Sequence, residues 1–207
     1  MKVSRIKRFL LLILCLGLFS VGVSASDHHG YLERSELRFL EGMSGHHQMA
    51  LDMANDCLAH ATAPEVLALC EAVITAQTPE IELMQAWLLA WYNVDYQTVA
   101  MATAEMDGMG MGGHDMSNMD GATPFTDPAM MMGMFAGFNR LKGIEYDLVW
   151  LESMIDPHDD AIHMAERLLE RGVVHEELGA LAQGIIDAQT LEITVMETLI
   201  EAPLSSR

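Results

Sequence analysis

Methionine and histidine stand four residues apart at two places in this chain, as Met43 and His47 and again as Met154 and His158. Side chains four residues apart lie on the same face of a helix, so each pair would present a thioether and an imidazole together. These two groups form a soft donor set that suits Cu(I) and also accepts Cu(II). Both pairs are therefore candidate metal ligands, although a methionine at helical spacing is more often a core residue.

Both pairs belong to an internal repeat in which the second copy follows the first by 111 residues. The offset preserves the pairs Leu37/Leu148, Leu40/Leu151, Glu41/Glu152, Met43/Met154, His47/His158, Ala50/Ala161 and Met53/Met164. After one inserted residue the match resumes with the motif Gln-x-x-Glu-Ile-x-x-Met, which ends at Met84 and at Met196. Two copies are too few for a solenoid, and they predict one domain with a pseudo-twofold axis.

The spacing of apolar residues predicts helices and no strands. The expected helices are 31–61, 64–92, 128–154 and 175–201, with 157–171 continuing or restarting the third. Two hairpins joined by one long crossover predict an all-α, ferritin-like four-helix bundle over residues 36–201. Gly42 and Gly45 in the first copy, and Asp156-Pro157 in the second, predict that each helix is interrupted just before its histidine.

Folding would bring donor residues of both copies toward the interior of this bundle. They are Met43, His47, Gln77, Glu80 and Met84 from the first copy and Met154, His158, Gln189, Glu192 and Met196 from the second. We interpret His47 and His158 as ligands because both copies keep an imidazole on the buried side. On the repeat alone His46 is a weaker candidate, because Pro157 aligns with it.

The first 25 residues have the features of a secretory signal peptide. Four basic residues lie among the first eight, an apolar run covers residues 9–23, and Ser24-Ala25 fits a cleavage site. An uncleaved membrane anchor is the alternative, although the run is short for a membrane span. Residues 26–35 are then expected to be a flexible segment before the bundle, and residues 202–207 a C-terminal tail. We therefore expect a periplasmic or secreted protein.

The chain is strongly acidic. It contains 30 Asp and Glu against 11 Lys and Arg, and signal cleavage would remove four basic residues and leave a formal net charge of −23. This charge disfavours nucleic acid and anionic lipid as partners and favours soluble cations. A purely solubilising surface is the alternative. After cleavage no other stretch is expected to cross a membrane.

Cys57 and Cys70 are the two cysteines that remain after cleavage, and Pro64 lies between them. If the helices on either side of Pro64 form a hairpin, the two cysteines lie at similar heights on facing helices. An oxidising compartment then favours a disulfide. Because the spacing does not match a CxxC redox or metal motif, we predict a structural disulfide.

A long loop over residues 93–127 is rich in Gly, Asp and Met. A polar, glycine-rich loop has no core to fill, so packing does not explain its methionines, and we predict that it captures Cu(I) or Ag(I). Low-complexity drift of the sequence is the alternative. The candidate ligands are Met106, Met109, Met111, His114, Met116 and Met119.

If cleavage follows Ala25, the mature chain begins Ser26-Asp27-His28. The free amine, the amides of Asp27 and His28 and the His28 imidazole can then form a plane of four nitrogens, which is the geometry that Cu(II) prefers. We predict a Cu(II) site here, conditional on that cleavage. The alternative is an incidental polar tail.

A carboxylate-bridged di-iron centre is the main alternative chemistry for such a bundle, and it needs Glu-x-x-His on two helices. No glutamate of this chain has a histidine three residues later, and only Asp160 precedes His163 at that distance. No HExxH, GxSxG, phosphate-loop or dinucleotide-binding motif is present either. We therefore expect a binding protein rather than an enzyme. A small metal-dependent oxidoreductase and a metal-free helical interaction module are the alternatives.

The doubled motif, Met43-Ser-Gly-His-His-Gln-Met-Ala with Gln-x-x-Glu-Ile-x-x-Met in both halves, resembles domain-of-unknown-function family 305 over roughly residues 37–200. The resemblance implies a ferritin-like bundle that binds copper or silver outside the cytoplasm for resistance or trafficking. For such a function we expect another copper-handling protein as a partner. The ligands that it implies are Met43, His46, His47, Met154 and His158, with Met84 and Met196 as supports. The chain departs from the family's double histidine in its second half, where Pro157-His158 stands.

Overall fold

The computed structural model of the protein describes residues 25–98 and 128–201, and the regular structure in these two ranges is entirely helical. The predicted signal peptide apart from its last residue, the methionine-rich part of the loop, and the C-terminal tail lie outside the described residues. The helices are α1 (Ala25–His60), α2 (Pro64–Tyr92), α3 (Pro128–Phe138), α4 (Ile144–Arg171) and α5 (Glu176–Glu201). The all-α prediction is confirmed.

The four long helices form two hairpins, α1 with α2 and α4 with α5, and the hairpins meet through α1 and α4. The repeat therefore corresponds to the hairpin, and α1 and α4 are the equivalent inner helices. Proline at the first position starts α2, and Asn93 ends it in the left-handed conformation at φ 55°. The short helix α3 packs on the start of α4, where the rings of Phe138 and Tyr146 lie 5.9 Å apart.

Three of the predicted boundaries are wrong. Residues 26–35 are helical and belong to α1, where we expected a flexible segment. The expected third helix, 128–154, is two helices, because the chain turns after Phe138 and Gly143 adopts a φ of 62° that favours glycine. Neither inner helix is interrupted before its histidine, since α4 continues through Pro157.

The glycines of α1 provide close approach instead of an interruption. A Cβ atom at Gly42 would lie 3.3 Å from the terminal methyl of Met164, and one at Gly45 would lie 3.3 Å from the Tyr96 hydroxyl. Pro157 is itself buried among packed residues of α4. Tertiary packing therefore holds α4 helical across a proline that costs about 3 kcal/mol in a helix interior.

Two apolar clusters fill the bundle, one at each end. The disulfide-end core includes Met53, Cys57, Cys70, Trp150, Met154 and Met196. The far-end core includes Leu40, Met43, Met84, Leu88, Leu168 and Ile185. Between these cores, along all four long helices, lies a central polar layer of buried side chains, which are Ser44, His46, His47, Gln77, His158 and Gln189.

The predicted disulfide is present between Cys57 and Cys70, with the two Cα atoms 6.3 Å apart. Both cysteines are fully buried, and they join α1 to α2 at the closed end of the first hairpin. Their counterparts in the repeat, Leu168 and Ala182, are also buried. The disulfide therefore occupies a packing position of the fold, as a structural cross-link would.

Two buried carboxylates hold the hairpins to each other, and sequence reasoning missed both. Asp147 of α4 accepts backbone hydrogen bonds from Thr62 at 2.9 Å and Ala63 at 2.9 Å, just before α2 begins. In the repeat-related place, Glu36 of α1 accepts the backbone hydrogen bond of His175 at 2.9 Å, just before α5 begins. Each inner helix thus satisfies the free N–H groups at the start of the other hairpin's outer helix.

The Glu36 carboxyl also has two side-chain partners. The hydroxyl of Tyr92 donates a hydrogen bond of 2.5 Å to it, and Nδ1 of the His175 ring lies 2.7 Å from it. Burial raises the pKa of Glu36, but its hydrogen bonds outweigh burial and hold the pKa below its usual value. Glu36 is therefore ionised in the folded protein near neutral pH.

None of the helices in the described ranges combines the length and the apolar character that a membrane span requires.

Candidate metal site

The central polar layer is the one level of the bundle interior where imidazole rings replace apolar side chains. His46 and His47 enter it from α1 and His158 from α4, and none of the three rings is more than 1% exposed. Gln77 of α2 and Gln189 of α5 close the layer from the outer helices. The repeat explains this arrangement, because equivalent positions on equivalent helices meet across the pseudo-twofold axis.

Each outer helix also supplies a glutamate that holds one imidazole. Nε2 of His47 lies 2.7 Å from Oε2 of Glu80, and Nε2 of His158 lies 2.9 Å from Oε2 of Glu192. The side chains of Glu80 and Glu192 are 25% and 16% exposed, so each carboxylate stands at the edge of the layer. A carboxylate in this position orients a histidine ring and makes it a stronger ligand.

Several polar atoms in the layer have no hydrogen-bond partner among the described residues. They are Oγ of Ser44, both ring nitrogens of His46, Nδ1 of His47, and Oε1 of Gln77 and of Gln189. Leaving one buried polar atom unsatisfied costs about 1–3 kcal/mol, and such atoms are uncommon in folded proteins. Six of them in this layer leave hydrogen-bonding capacity that a bound ligand could meet. Because the donors are nitrogens and neutral oxygens, a cation fits them.

His46 is held as a neutral imidazole. Burial, reinforced by the nearby rings of His47 and His158, lowers the pKa of His46 to about 3. The backbone of Pro157 interacts with the ring outside the geometry of a full hydrogen bond, and it acts in the opposite direction but more weakly. A neutral imidazole has one ring nitrogen with a free lone pair, which is the form that binds metals.

Thioether groups border the layer on both sides. Met43 and Met84 lie on its far-end side, and Met154 and Met196 lie on its disulfide-end side. All four are fully buried. Within the described ranges, no three side chains of the His, Cys, Asp or Glu types are gathered closely enough to hold a metal ion by themselves. Thioether sulfur from these methionines would be a further donor beside the imidazoles, and sulfur selects soft ions such as Cu(I).

The other predicted ligands are not brought to this layer. Asp27 and His28 are exposed near the start of α1, and Ser26 belongs to the same helix. The predicted ligands of the loop, Met106, Met109, Met111, His114, Met116 and Met119, lie outside the described residues. Sequence reasoning also overlooked the Ser44 hydroxyl, and the only signal for it was a small polar residue beside Met43 on a buried face.

Comparisons with known proteins agree with this architecture. The family model of DUF305, a domain of unknown function, matches residues 36–200. No curated protein matches the sequence. Among solved structures, CopM in the Cu(II)-bound form is similar at 29% identity with a TM-score of 0.58, and the match covers 80% of this chain and 95% of that one.

Two further structures show the same similarity. CopM in the Cu(I)-bound form is 25% identical with a TM-score of 0.59, and the match covers 80% of this chain and 95% of that one. A DUF305 fragment from Deinococcus radiodurans is 24% identical with a TM-score of 0.58, and the match covers 81% of this chain and 95% of that one. The last similarity concerns the fold alone. The family resemblance that the doubled motif indicated is confirmed. The predicted helical-bundle fold is also confirmed.

Proposed function

This chain belongs to the DUF305 family, and we propose that it binds copper as Cu(I) in the central polar layer and works outside the cytoplasm. The observation that carries the proposal is the set of six unpartnered polar atoms at one buried level. The copper-bound structures of CopM support the choice of metal. Ag(I) has the same soft chemistry and is the second ion that the donor set would accept.

The residues of the layer have separable tasks in this proposal. The imidazoles of His46 and His47 supply nitrogen, and the thioethers of Met43 and Met154 supply sulfur from the two sides of the layer. The surrounding apolar cores exclude water, which favours Cu(I) over the more strongly hydrated Cu(II). Nitrogen and sulfur donors enclosed in this way would hold a copper ion without exposing it to reaction with solvent.

We propose a binding protein for metal sequestration or delivery rather than a metal-dependent oxidoreductase. The side chains of the layer are at most 3% exposed, so an organic substrate would not reach an ion held among them. Delivery would then require another copper-handling protein that receives the ion. Oxygen consumption with a reducing substrate and the copper-loaded protein distinguishes the two functions, and sustained turnover would support the oxidoreductase.

Two features of the chain support an extracytoplasmic location. The first is the signal-peptide pattern of residues 1–25. The second is the buried disulfide, which belongs to an oxidising compartment. In the same proposal, the methionines between residues 101 and 119 capture Cu(I) through their side-chain chemistry, and the amino terminus that cleavage creates binds Cu(II).

The experiment that tests the proposal compares a variant that loses two methionines bordering the layer with a variant that loses a buried methionine elsewhere. Met43→Leu combined with Met154→Leu keeps the side-chain volume and removes two thioethers, whereas Met53→Leu removes a fully buried thioether of the disulfide-end core. In a competition titration with a Cu(I) chelator, the double variant should retain about one copper ion fewer than Met53→Leu. Metals bound elsewhere contribute equally to both variants. Equal retention by the two proteins would contradict the proposal.

A further inference from the structure

The two histidine–glutamate pairs of the central polar layer are related by the repeat, yet they differ at the second ring nitrogen. Nδ1 of His158 lies 2.8 Å from the backbone carbonyl oxygen of Met154. A carbonyl oxygen can only accept a hydrogen bond, so Nδ1 of His158 carries a hydrogen and donates it. Nδ1 of His47 has no partner and is fully buried. Of the two repeat-related rings, His158 therefore has a hydrogen-bond partner at both nitrogens, whereas His47 has one nitrogen without a partner.

The hydrogen bonding of His47 is that of a histidine prepared to bind a metal. Its Nε2–H group donates to the Glu80 carboxylate at 2.7 Å, which assigns the free lone pair to Nδ1. A histidine that binds metal through one nitrogen commonly gives the hydrogen on the other to a carboxylate. Glu80 would act on an ion in the layer through its hydrogen bond to His47.

At His158 an ion would have to displace a hydrogen bond that the ring already makes. Nδ1 donates to the buried Met154 carbonyl at 2.8 Å, and Nε2 lies 2.9 Å from the half-buried Glu192 carboxylate. The second hairpin also lacks an equivalent of His46, because Pro157 stands there. The unpartnered ring nitrogens of the layer, two on His46 and one on His47, consequently all belong to α1.

We propose that the first hairpin alone supplies the imidazole donors of the metal site, with Nδ1 of His47 as a ligand, Glu80 as its positioning residue, and His158–Glu192 as a structural pair. The second hairpin then contributes thioether sulfur from Met154. This inference rests on the proposed function and changes the role of His158, which the family resemblance implied to be a ligand. The two halves of the layer are similar in sequence and unequal in chemistry.

The test follows the ring nitrogens individually. The protein is labelled with ¹⁵N-histidine and titrated with Ag(I), which is diamagnetic and does not change oxidation state in air. Long-range ¹H–¹⁵N spectra report each imidazole nitrogen separately. Nδ1 of His47 should shift on binding while its Nε2 keeps its hydrogen, and both nitrogens of His158 should keep their shifts.

The repeat supplies a matched pair of variants for the same experiment. Glu80→Gln should weaken binding of Ag(I) at the layer by about 10–100-fold, as loss of a ligand's hydrogen-bond partner does, whereas Glu192→Gln should change it by less than about twofold. A His158 shift as large as that of His47, or equal losses in the two variants, would overturn the inference while leaving copper binding intact. If Ag(I) shifts no imidazole of the layer, the proposed function fails, and this inference fails with it.

Discussion

The buried His46 ring should make the metal-free protein sensitive to acid. In the folded protein burial lowers the pKa of His46 to about 3, whereas an unfolded chain titrates its histidines near pH 6.5. Between these values the unfolded chain binds one more proton than the folded protein, so the free energy of unfolding falls as the pH falls. The contribution is fully present above about pH 6.5 and is lost toward pH 3.

The magnitude follows from the size of the shift. One proton changes the free energy of unfolding by about 1.4 kcal/mol for each pH unit. Over the whole interval the loss is about 5 kcal/mol, which is comparable with the total stability of many domains. His46→Gln replaces the ring by a polar side chain that does not titrate. It should therefore reduce the dependence of stability on pH by about 1.4 kcal/mol per unit.

Urea unfolding followed by circular dichroism, with a metal chelator present, measures this dependence between about pH 6 and about pH 4. His29→Gln is the matched control, because the side chain of His29 is 59% exposed and its 3.3 Å pair with Glu33 lies at the surface, where such pairs contribute little to stability. The control should follow the wild-type curve. Parallel curves for wild type and His46→Gln would refute the reasoning, since they would mean that His46 is not held neutral by burial.

Three further predictions concern other parts of the chain. Asp147→Asn should lower the free energy of unfolding by about 1.5–3 kcal/mol, because a buried charged acceptor at the start of α2 is lost; an unchanged urea midpoint would be inconsistent with its capping role. Replacing Cys57 and Cys70 by Ala should cost roughly 3 kcal/mol, the value expected for a closed loop of about 14 residues, and equal melting of the two proteins would argue against a structural cross-link. If export leaves a chain that begins at Ser26, Cu(II) should produce a visible band of square-planar nitrogen ligation, and its survival in His28→Ala would rule out the amino-terminal site.

The hairpin architecture could be predicted from the sequence because its signals are local and occur twice. The boundaries of α2 were predicted correctly, since Pro64 starts the helix and Asn93 ends it in a conformation that few residues adopt. The break after Phe138 was missed because apolar residues continue on both sides of it. The continuity of α4 through Pro157 was left open, because the sequence does not display the packing that outweighs the helix-breaking tendency of proline.

The site was predictable in composition but not in hydrogen bonding. The repeat and the spacing of four residues brought Met43, His47, Met154 and His158 to the interior, and the structure places them in or beside the central polar layer. Which ring nitrogen is free depends on the backbone carbonyl that each ring meets, as His158 shows with Met154. That contact arises from helix packing, so two histidines with the same sequence motif acquire different roles.

The position of the bound ion is the most direct test of copper binding in the central polar layer. Crystals of the exported protein grown with Cu(I) under anaerobic conditions would locate it through anomalous scattering at the copper edge. The proposal predicts a peak inside the bundle, bonded to Nδ1 of His47 and to at least one of the thioethers of Met43 and Met154. Copper found only at the surface, with the polar layer containing no metal, would contradict it.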